Sequence, residues 1–288
     1  MRSKRISVVT LKNMAILDTD FISKLHETTN LENQTLIDKI LELPYFFCCH
    51  QQTVVELQKH LPWAKSWFKE KTRPSIIHLY SDLELIITLA EKVFSGNTAS
   101  AFLLYRQFLH ESCSLFSRRF YEIHYQELET LTQKSSIEQI SSAIKNGDSS
   151  VKRGENLGEI KSCTMMKIFA WLNEFPIFQF FSDDFGARRS IIQDPNNPSN
   201  IYCISALGAF YVLKEKNVLQ KTQAKEFFDS WMEFHAEINQ TAFKIQNSKK
   251  GRQLEKVEGY AIFDGIYSNI FEMGRDGLLQ YCHPIQQE

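Results

Sequence analysis

Two adjacent acidic residues at the end of an apolar run are the feature of this sequence best suited to chemistry. They are Asp183 and Asp184, within the stretch "FFSDDFGARR" of residues 180–189. One carboxylate there would be ordinary, whereas two at the point where a buried strand opens into a loop favour a metal or phosphate site. In parallel α/β sheets the ligand chemistry lies at the carboxyl ends of the strands.

Four further acids take comparable positions elsewhere in the chain. Asp18 and Asp20 follow the apolar run "MAIL", Glu56 follows "YFFCC", and Glu159 opens a helical segment. If these strands end at one edge of a sheet, the carboxylates converge there, and they cannot sit together without neutralisation. A hard divalent cation is the simplest partner, since magnesium prefers carboxylate and water oxygens. The pattern therefore predicts metal-assisted hydrolysis of a phosphodiester.

Short apolar runs alternate with amphipathic segments in the part of the chain that carries these acids. The runs at residues 14–18, 45–49, 177–184 and 201–205 predict buried strands. The segments between and after them have the apolar spacing of helices. This alternation predicts an α/β protein with one parallel sheet and helices on its faces.

Two long segments depart from the alternation. From about residue 61 to 148 the pattern predicts helices and no strand, and a turn-rich stretch at 145–158 leads back to the α/β part. The chain after residue 222 also predicts helices. The sequence thus divides into three parts: an α/β core of residues 1–60 and 154–222, a helical insertion of 61–153 and a helical C-terminal extension of 223–288. We expect the insertion to pack as a helical body beside the acids and to govern substrate choice.

Five segments together resemble the PIN-domain family of metal-dependent nucleases, which includes the toxins of many bacterial toxin–antitoxin pairs. In chain order they are "ILDTDFISKL", "TVVELQ" around Glu56, "NLGEIKS" around Glu159, "FFSDDFGAR" and "ISALGAFYVLKEKNVL". Each motif is weak alone, but five in the family's order are fairly specific. They cover about residues 14–60 and 155–220, so the insertion and the C-terminal region lie outside the resemblance.

The resemblance implies a Rossmann-like parallel sheet, magnesium or manganese, and an RNA substrate. The family's acids would fall on Asp18, Glu56, Glu159 and Asp183 or Asp184, which would serve as metal ligands while a metal-activated water attacks the phosphodiester. The residues that would contact the substrate are Asp20, Ser23, Arg188 and Arg189. A protein inhibitor or another partner is compatible with the resemblance, and the oligomeric state stays open. Many relatives are about half as long as this chain.

Several of these acids also fit plain structural roles. Asp18 could cap the following helix, and one of Asp183 and Asp184 could cap another. Glu159 suits the positive end of a helix dipole, and Glu155, four residues earlier, competes with it as a ligand.

Basic residues and the function class leave further alternatives open. Arg188 and Arg189 could bind phosphate or pair with nearby acids. Other basic residues could touch a phosphate backbone, although charge runs are usually solvated faces; they are Arg118, Arg119, Lys249, Lys250 and Arg252. Two other functions compete with an RNA-cleaving enzyme, namely a structure-specific DNA nuclease and a non-catalytic scaffold that binds RNA or protein.

Composition sets bounds on these interpretations. The 288 residues are 43% hydrophobic, which allows a sizeable core. Lys and Arg number 33 against 34 Asp and Glu, so contacts to nucleic acid would have to come from local patches. Six cysteines without CxxC or zinc-type spacing predict reduced core thiols. Neither a secretory signal nor an apolar stretch of roughly 20 residues is evident, so we expect a soluble, cytoplasmic protein.

Overall fold

Five short strands form the central sheet of the computed structural model, which describes residues 12–152, 154–247 and 253–282. The strands are β1 (Asn13–Leu17), β2 (Tyr45–His50), β3 (Ile77–Tyr80), β4 (Phe178–Phe181) and β5 (Ile201–Ile204). Their order is β3-β2-β1-β4-β5, and every pair of neighbours is parallel. The predicted α/β class with one parallel sheet is confirmed, and the arrangement is consistent with a Rossmann-like fold.

Helices fill the connections between these strands. Those before β4 are α1 (Thr19–Glu27), α2 (Leu36–Leu41), α3 (Gln51–His60), α4 (Ala64–Thr72), α5 (Asp82–Val93), α6 (Thr98–Phe116), α7 (Phe120–His124), α8 (Ile137–Ser150) and α9 (Leu157–Trp171), with a 3₁₀ helix at Gln126–Thr130. Those after β4 are α10 (Phe185–Gln193), α11 (Ala206–Glu215), α12 (Lys221–Glu237) and α13 (Gly259–Tyr267). None of the described helices is both long and apolar enough to cross a membrane.

Alternate side chains of the strands point into two separate apolar layers. In β1, Ala15 and Leu17 join one cluster, whereas Met14 and Ile16 join the other. Helices α1 to α4 and α11 to α13 cover the first face of the sheet, and α5 to α10 cover the second. Both faces are therefore buried, which explains why the strands are continuous apolar runs in the sequence.

The sequence predicted that the stretch 61–153 is purely helical. This prediction is wrong, because the stretch contributes β3 to the sheet. This edge strand pairs with β2, and only Ile77 of its four residues is buried. Such a short, half-polar strand gives little apolar signal. Helices α5 to α8 contribute to the apolar layer on the second face of the sheet, in which Phe102 clusters with Met14 and Ile16. Replacing this stretch by a linker would remove one strand and much of one apolar layer.

The segment predicted as a turn-rich link at 145–158 is helical up to residue 150. Ser136 begins α8 with a capping box. Gly147, which suggested a turn, instead allows a close contact, since a Cβ there would lie 2.4 Å from the Tyr125 ring. Upstream, α6 ends at Phe116, with Ser117 as its C-cap.

The C-terminal extension was predicted as helical, but it contains a second sheet. Its strands are β6 (Ala242–Asn247), β7 (Gln253–Glu258), β8 (Phe271–Met273) and β9 (Leu279–Tyr281), in the order β7-β6-β9-β8. In β6, buried Phe243 and Ile245 flank exposed Lys244, a period of two that is too short to stand out in a lysine-rich segment. The basic residues Lys249, Lys250 and Arg252 lie outside the described residues.

The cysteines behave largely as predicted. All six are unpaired, and five are buried, while Cys282 is partly exposed. Burial raises the pKa of the Cys113 and Cys203 thiols to about 12, so they stay protonated and act as small apolar side chains.

A buried lysine ties α5 and α8 to α9. Lys161 is fully buried, and its Nζ lies 2.9 Å from Asp82 Oδ2 and 2.8 Å from Asp148 Oδ1. Tyr105 and Tyr125 donate their hydroxyls to these two aspartates. Burial alone would raise the pKa of Asp82, but the adjacent Lys161 ammonium holds it well below its usual range. The ion pairs therefore join three helices on one face of the sheet.

Replacing Lys161 with methionine should lower the free energy of unfolding by about 3 to 5 kcal/mol, because two aspartates would lose their buried cation. Urea denaturation at pH 7 measures the change. Lys145, exposed on α8, provides the matched control, and its methionine variant should stay within about 0.5 kcal/mol of wild type. Equal stabilities of the two variants would show that the buried pairs contribute little.

Candidate active site

The path of the chain through the sheet reverses between β1 and β4. From β1 it moves outward through β2 and β3, and it then returns to the other side of β1 as β4 and β5. Open α/β sheets bind ligands at such a switch point, outside the carboxyl ends of the strands. Asp18 follows β1 at this point, and its N–H donates to Phe181 O at 2.9 Å. Asp18 thus adjoins the turn that carries Asp183 and Asp184.

Asp18 is the most buried of the acids at this edge, with 2% of its surface exposed. It is the N-cap of α1, where its Oδ1 accepts a hydrogen bond from Thr19 N at 2.8 Å. The capping role that the sequence left open is therefore present. Burial, reinforced by the charges of Asp20 and Glu159, raises the pKa of Asp18 well above its usual range. A helix cap alone would not require such crowding.

Glu56 extends from α3 to the start of α9. Its Oε2 accepts a hydrogen bond from Thr19 Oγ1 at 2.8 Å, and its Oε1 accepts one from Gln52 Nε2 at 3.0 Å. The carboxylate packs against Gly158, where an added Cβ would lie 2.7 Å from Oε2. The glycine in the first turn of α9 therefore makes room for Glu56 beside Glu159.

Glu159, in the first turn of α9, is partly buried. Burial raises its pKa to about 7, and the charges of Glu56, Asp20 and Asp184 add to this effect against a main-chain hydrogen bond. The dipole of α9 would favour the charged form, so burial and neighbouring carboxylates dominate. With Asp18, these acids act on one another electrostatically.

Asp183 differs from the other acids because a lysine pairs with it. Its Oδ2 lies 2.6 Å from Lys24 Nζ, and its Oδ1 accepts a hydrogen bond from Ala206 N at 3.0 Å. Burial alone would raise the pKa of Asp183, but Lys24 lowers it. Asp20 joins this group, since its Oδ1 accepts from Asp183 N at 3.2 Å and its Oδ2 lies 3.9 Å from Lys24 Nζ. Asp183 is thus already neutralised within the fold.

Asp184 is exposed and begins α10. Its Oδ1 accepts a hydrogen bond from Ala187 N at 2.9 Å, so it is the member of the pair that caps a helix. Its charge also acts on Glu159. Which of the two aspartates would bind a metal stays open, although the Lys24 pair weighs against Asp183.

The two arginines predicted to contact substrate lie in different surroundings. Arg188 is buried, and it donates from Nη1 to Ser182 O at 2.7 Å and from Nε to Asp276 O at 2.9 Å. Arg189 is exposed on α10. Arg188 therefore joins the turn after β4 to the C-terminal region, whereas Arg189 presents its charge to solvent.

Two further predicted residues have local contacts. Ser23 Oγ donates to Asp20 O at 3.0 Å within α1. Glu155, the rival of Glu159, accepts a hydrogen bond from Lys152 N at 2.6 Å and lies 3.7 Å from His124 Nε2. Its contacts are thus with the preceding loop and α7, and not with the acids.

Lys24 is the charged residue of this site that the sequence interpretation missed. It stands four residues after Asp20 on α1, a spacing that places both side chains on one helix face and could have indicated it. Thr19 and Gln52, which bind Glu56, were likewise not assigned to the site. The Thr19 contact joins residues 37 positions apart, so no local signal predicts it.

Within residues 12–152, 154–247 and 253–282, no three His, Cys, Asp or Glu side chains are placed so that they could hold one metal ion. The chemistry of the donors nevertheless suits a hard cation, because they are all carboxylates. Lys24 pairs with Asp183 and lies near Asp20, whereas the structure records no ion pair between a described residue and Asp18 or Glu159. The fit is therefore one of donor chemistry and not of preformed geometry.

Comparison with protein-family models, with curated proteins and with solved structures finds no match to this chain. Any functional assignment consequently depends on the residues of the site.

Replacing Glu159 with glutamine should stabilise the metal-free protein at pH 8 and leave its stability at pH 4 nearly unchanged. Glu159 has a pKa raised from 4.5 to about 7 in the folded state. The contribution of Glu159 to stability is fully present below the pKa of the unfolded state and is lost as the pH rises through the pKa of the folded state. The wild type should therefore lose up to about 3 kcal/mol of unfolding free energy through this group. Urea denaturation in EDTA across this pH range measures the loss.

Glu91, exposed on α5, provides the control for this experiment. Its glutamine variant should follow the wild-type dependence on pH. If the Glu159→Gln variant also followed the wild-type curve, the acids at this edge would not repel one another in the way described.

Proposed function

We propose that this protein is a divalent-metal-dependent nuclease of PIN type that hydrolyses phosphodiester bonds in RNA. The observation that carries the proposal is the crowding of buried carboxylates at the switch point, where burial first and neighbouring acids second raise the pKa of Asp18 and of Glu159. Acids crowded in this way without a lysine or arginine partner favour a bound cation. The parallel sheet and the order of the motifs along the chain support the same function.

Carboxylates from three helices would form the metal site. The residues that would hold the ion are Asp18, Glu56 and Glu159, together with Asp183 or Asp184. Magnesium or manganese would supply a water of lowered pKa and would stabilise the charge that develops on the phosphate oxygens. Because α1, α3 and α9 each contribute, folding brings the donors to the same end of the sheet without forming a complete metal-holding group among the described residues.

Hydrogen bonds within the chain orient these donors. Thr19 and Gln52 bind the two oxygens of Glu56, while the first N–H of α1 binds Asp18. Asp20 accepts from the N–H of Asp183. These contacts restrict the individual side chains, but no three of the described acids are placed around one ion, so binding would have to draw the carboxylates closer together.

RNA is the substrate we favour, because the motifs resemble those of nucleases that act on RNA. The net charge of -1 provides no general attraction for nucleic acid, so contacts would come from basic side chains near the site, such as Lys24 and Arg189. A DNA substrate and a non-catalytic scaffold are the rival outcomes that a cleavage assay separates. The protein inhibitor and the cytoplasmic location stay predictions.

The Asp18→Asn variant should cleave labelled single-stranded RNA at least about 100-fold more slowly than wild type in magnesium or manganese. Its melting temperature in EDTA should equal or exceed that of wild type, because the substitution removes one of several repelling carboxylates. Activity and melting are measured on the same preparations.

Asp264, exposed on α13, is the matched control for this substitution, and its asparagine variant should cleave at the wild-type rate. Undiminished cleavage by a folded Asp18→Asn protein would remove Asp18 from the set of metal ligands. The same assay is run with a labelled DNA strand of the same sequence. Preferential cleavage of this DNA strand would favour the DNA nuclease. Absence of cleavage of either strand by the wild type in both metals would contradict the nuclease proposal.

Replacing Gly158 with alanine should lower the cleavage rate about tenfold or more with little loss of stability. The new Cβ would lie 2.7 Å from Glu56 Oε2 and would displace that flexible carboxylate, while alanine improves helix propensity by up to about 1 kcal/mol. Cleavage rates and urea denaturation test both parts. Full activity in this variant would show that the position of Glu56 is unimportant for the reaction.

A further inference from the structure

A cavity of about 600 Å³ lies between the carboxylate edge of the central sheet and the C-terminal sheet. Lys24 and Asp183 belong both to its wall and to the candidate active site, so the cavity adjoins that site. Its volume is typical of sites that take a small molecule or a single nucleotide. Much of the wall comes from α12, β6 and β7, which lie outside the segments that resemble the PIN family.

One side of this cavity is aromatic. Trp231, Phe234 and Phe243 line it, and Phe234 keeps 43% of its surface exposed. Ile238, one turn after Phe234, also lines the cavity and is 55% exposed. Exposed apolar side chains grouped at a cavity mark a ligand surface, and aromatic side chains are the usual platforms on which unpaired bases stack.

A pair of lysines forms the basic side of the cavity. Lys244 of β6 and Lys256 of β7 stand directly opposite each other in the antiparallel ladder, and both line the cavity. Like charges at such positions destabilise a sheet, and an anion between them would remove the repulsion. The structure records no ion pair between either lysine and a described residue. The two ammonium groups are therefore well placed to hold a phosphate.

Polar atoms of two buried side chains in this wall have no hydrogen-bond partner among the described residues. They are Trp231 Nε1 and both ring nitrogens of His235, although these residues are only 3% and 4% exposed. The Gln240 side chain approaches the His235 ring without making a hydrogen bond of normal geometry. Buried polar groups are usually satisfied, and the edge of a nucleobase offers suitable donors and acceptors.

We propose that this cavity binds one unpaired nucleotide of a single-stranded nucleic acid. The base stacks on the aromatic side and its phosphate lies between Lys244 and Lys256. The inference rests on the proposed nuclease function and specifies its substrate class, since a base within a duplex is already stacked and paired and cannot enter. A strand held here continues past Lys24 to the carboxylates.

Binding of a fluorescein-labelled ten-nucleotide single-stranded RNA, followed by fluorescence anisotropy in EDTA, tests the proposal without cleavage. The Phe234→Ala variant should bind about tenfold more weakly, because it loses a stacking surface, and should keep the wild-type dependence on salt. The double variant Lys244→Ala, Lys256→Ala should instead lower the slope of log affinity against log salt by about 1.4, because each phosphate contact on a single strand contributes about 0.7.

Matched controls come from exposed residues away from the cavity. Trp171→Ala, whose side chain is 47% exposed, and the double variant Lys65→Ala, Lys145→Ala should bind RNA like wild type. A DNA strand and an RNA duplex of the same sequence complete the comparison. Tighter binding of both single strands than of the duplex supports the proposal, and equal affinity for the duplex overturns it.

The cavity and the nuclease proposal can fail separately. If the cavity variants weaken binding but wild type cleaves nothing in magnesium or manganese, the nuclease proposal fails and the nucleotide site stands. If wild type cleaves RNA while both cavity variants bind and cleave like wild type, the nucleotide site is overturned and the nuclease proposal stands.

Discussion

Repulsion among buried carboxylates at the end of β1 is the constraint on which the rest of this structure depends. Burial and the nearby acids make the ionised forms of Asp18 and Glu159 costly, as their raised pKa values show. Among the acids of the candidate site, Asp183 makes the close ion pair with Lys24. A fold selected for stability alone would place amides or apolar side chains here. A cation bound here, as proposed, would remove this repulsion.

The surrounding fold holds these acids together in spite of that repulsion. Strands β1 and β4 fix Asp18 beside the turn after β4, and Gly158 lets Glu56 approach α9. The C-terminal region braces the same edge, because Cys203 N donates to Arg275 O at 2.6 Å and Ser205 Oγ donates to Gly277 O at 2.9 Å. Packing on both faces of the sheet resists local unfolding at this edge. The carboxylates are therefore held where the two apolar layers meet.

The sequence predicted the parts of the fold that carry strong local signals. Continuous apolar runs identified β1, β2, β4 and β5 because both of their faces are buried. The acids were found because they follow these strands or, for Glu159, because it opens a helix. β3 and the C-terminal sheet were missed because short strands with one exposed face resemble loops or helix ends. Within the site, the Lys24–Asp183 pair joins residues 159 positions apart. Such contacts depend on strand order, which local patterns do not encode.

If the proposed nucleotide site is correct, the C-terminal region would select the substrate, whereas a selective role of the insertion stays a prediction from the sequence. Helices α5 to α8 form much of the apolar layer on one face of the sheet, and α5 and α8 supply the aspartates that pair with Lys161. Most of their apolar side chains therefore pack within the fold and do not face a substrate. By contrast, α12 and β6 present exposed Phe234 and Lys244 to a cavity that shares Lys24 with the acids. The acids come from α1, α3 and α9, whereas the cavity walls come mainly from elements after residue 222. Because different elements supply the two sets of residues, changes in the C-terminal region could alter which strand is bound while the carboxylate chemistry stays the same.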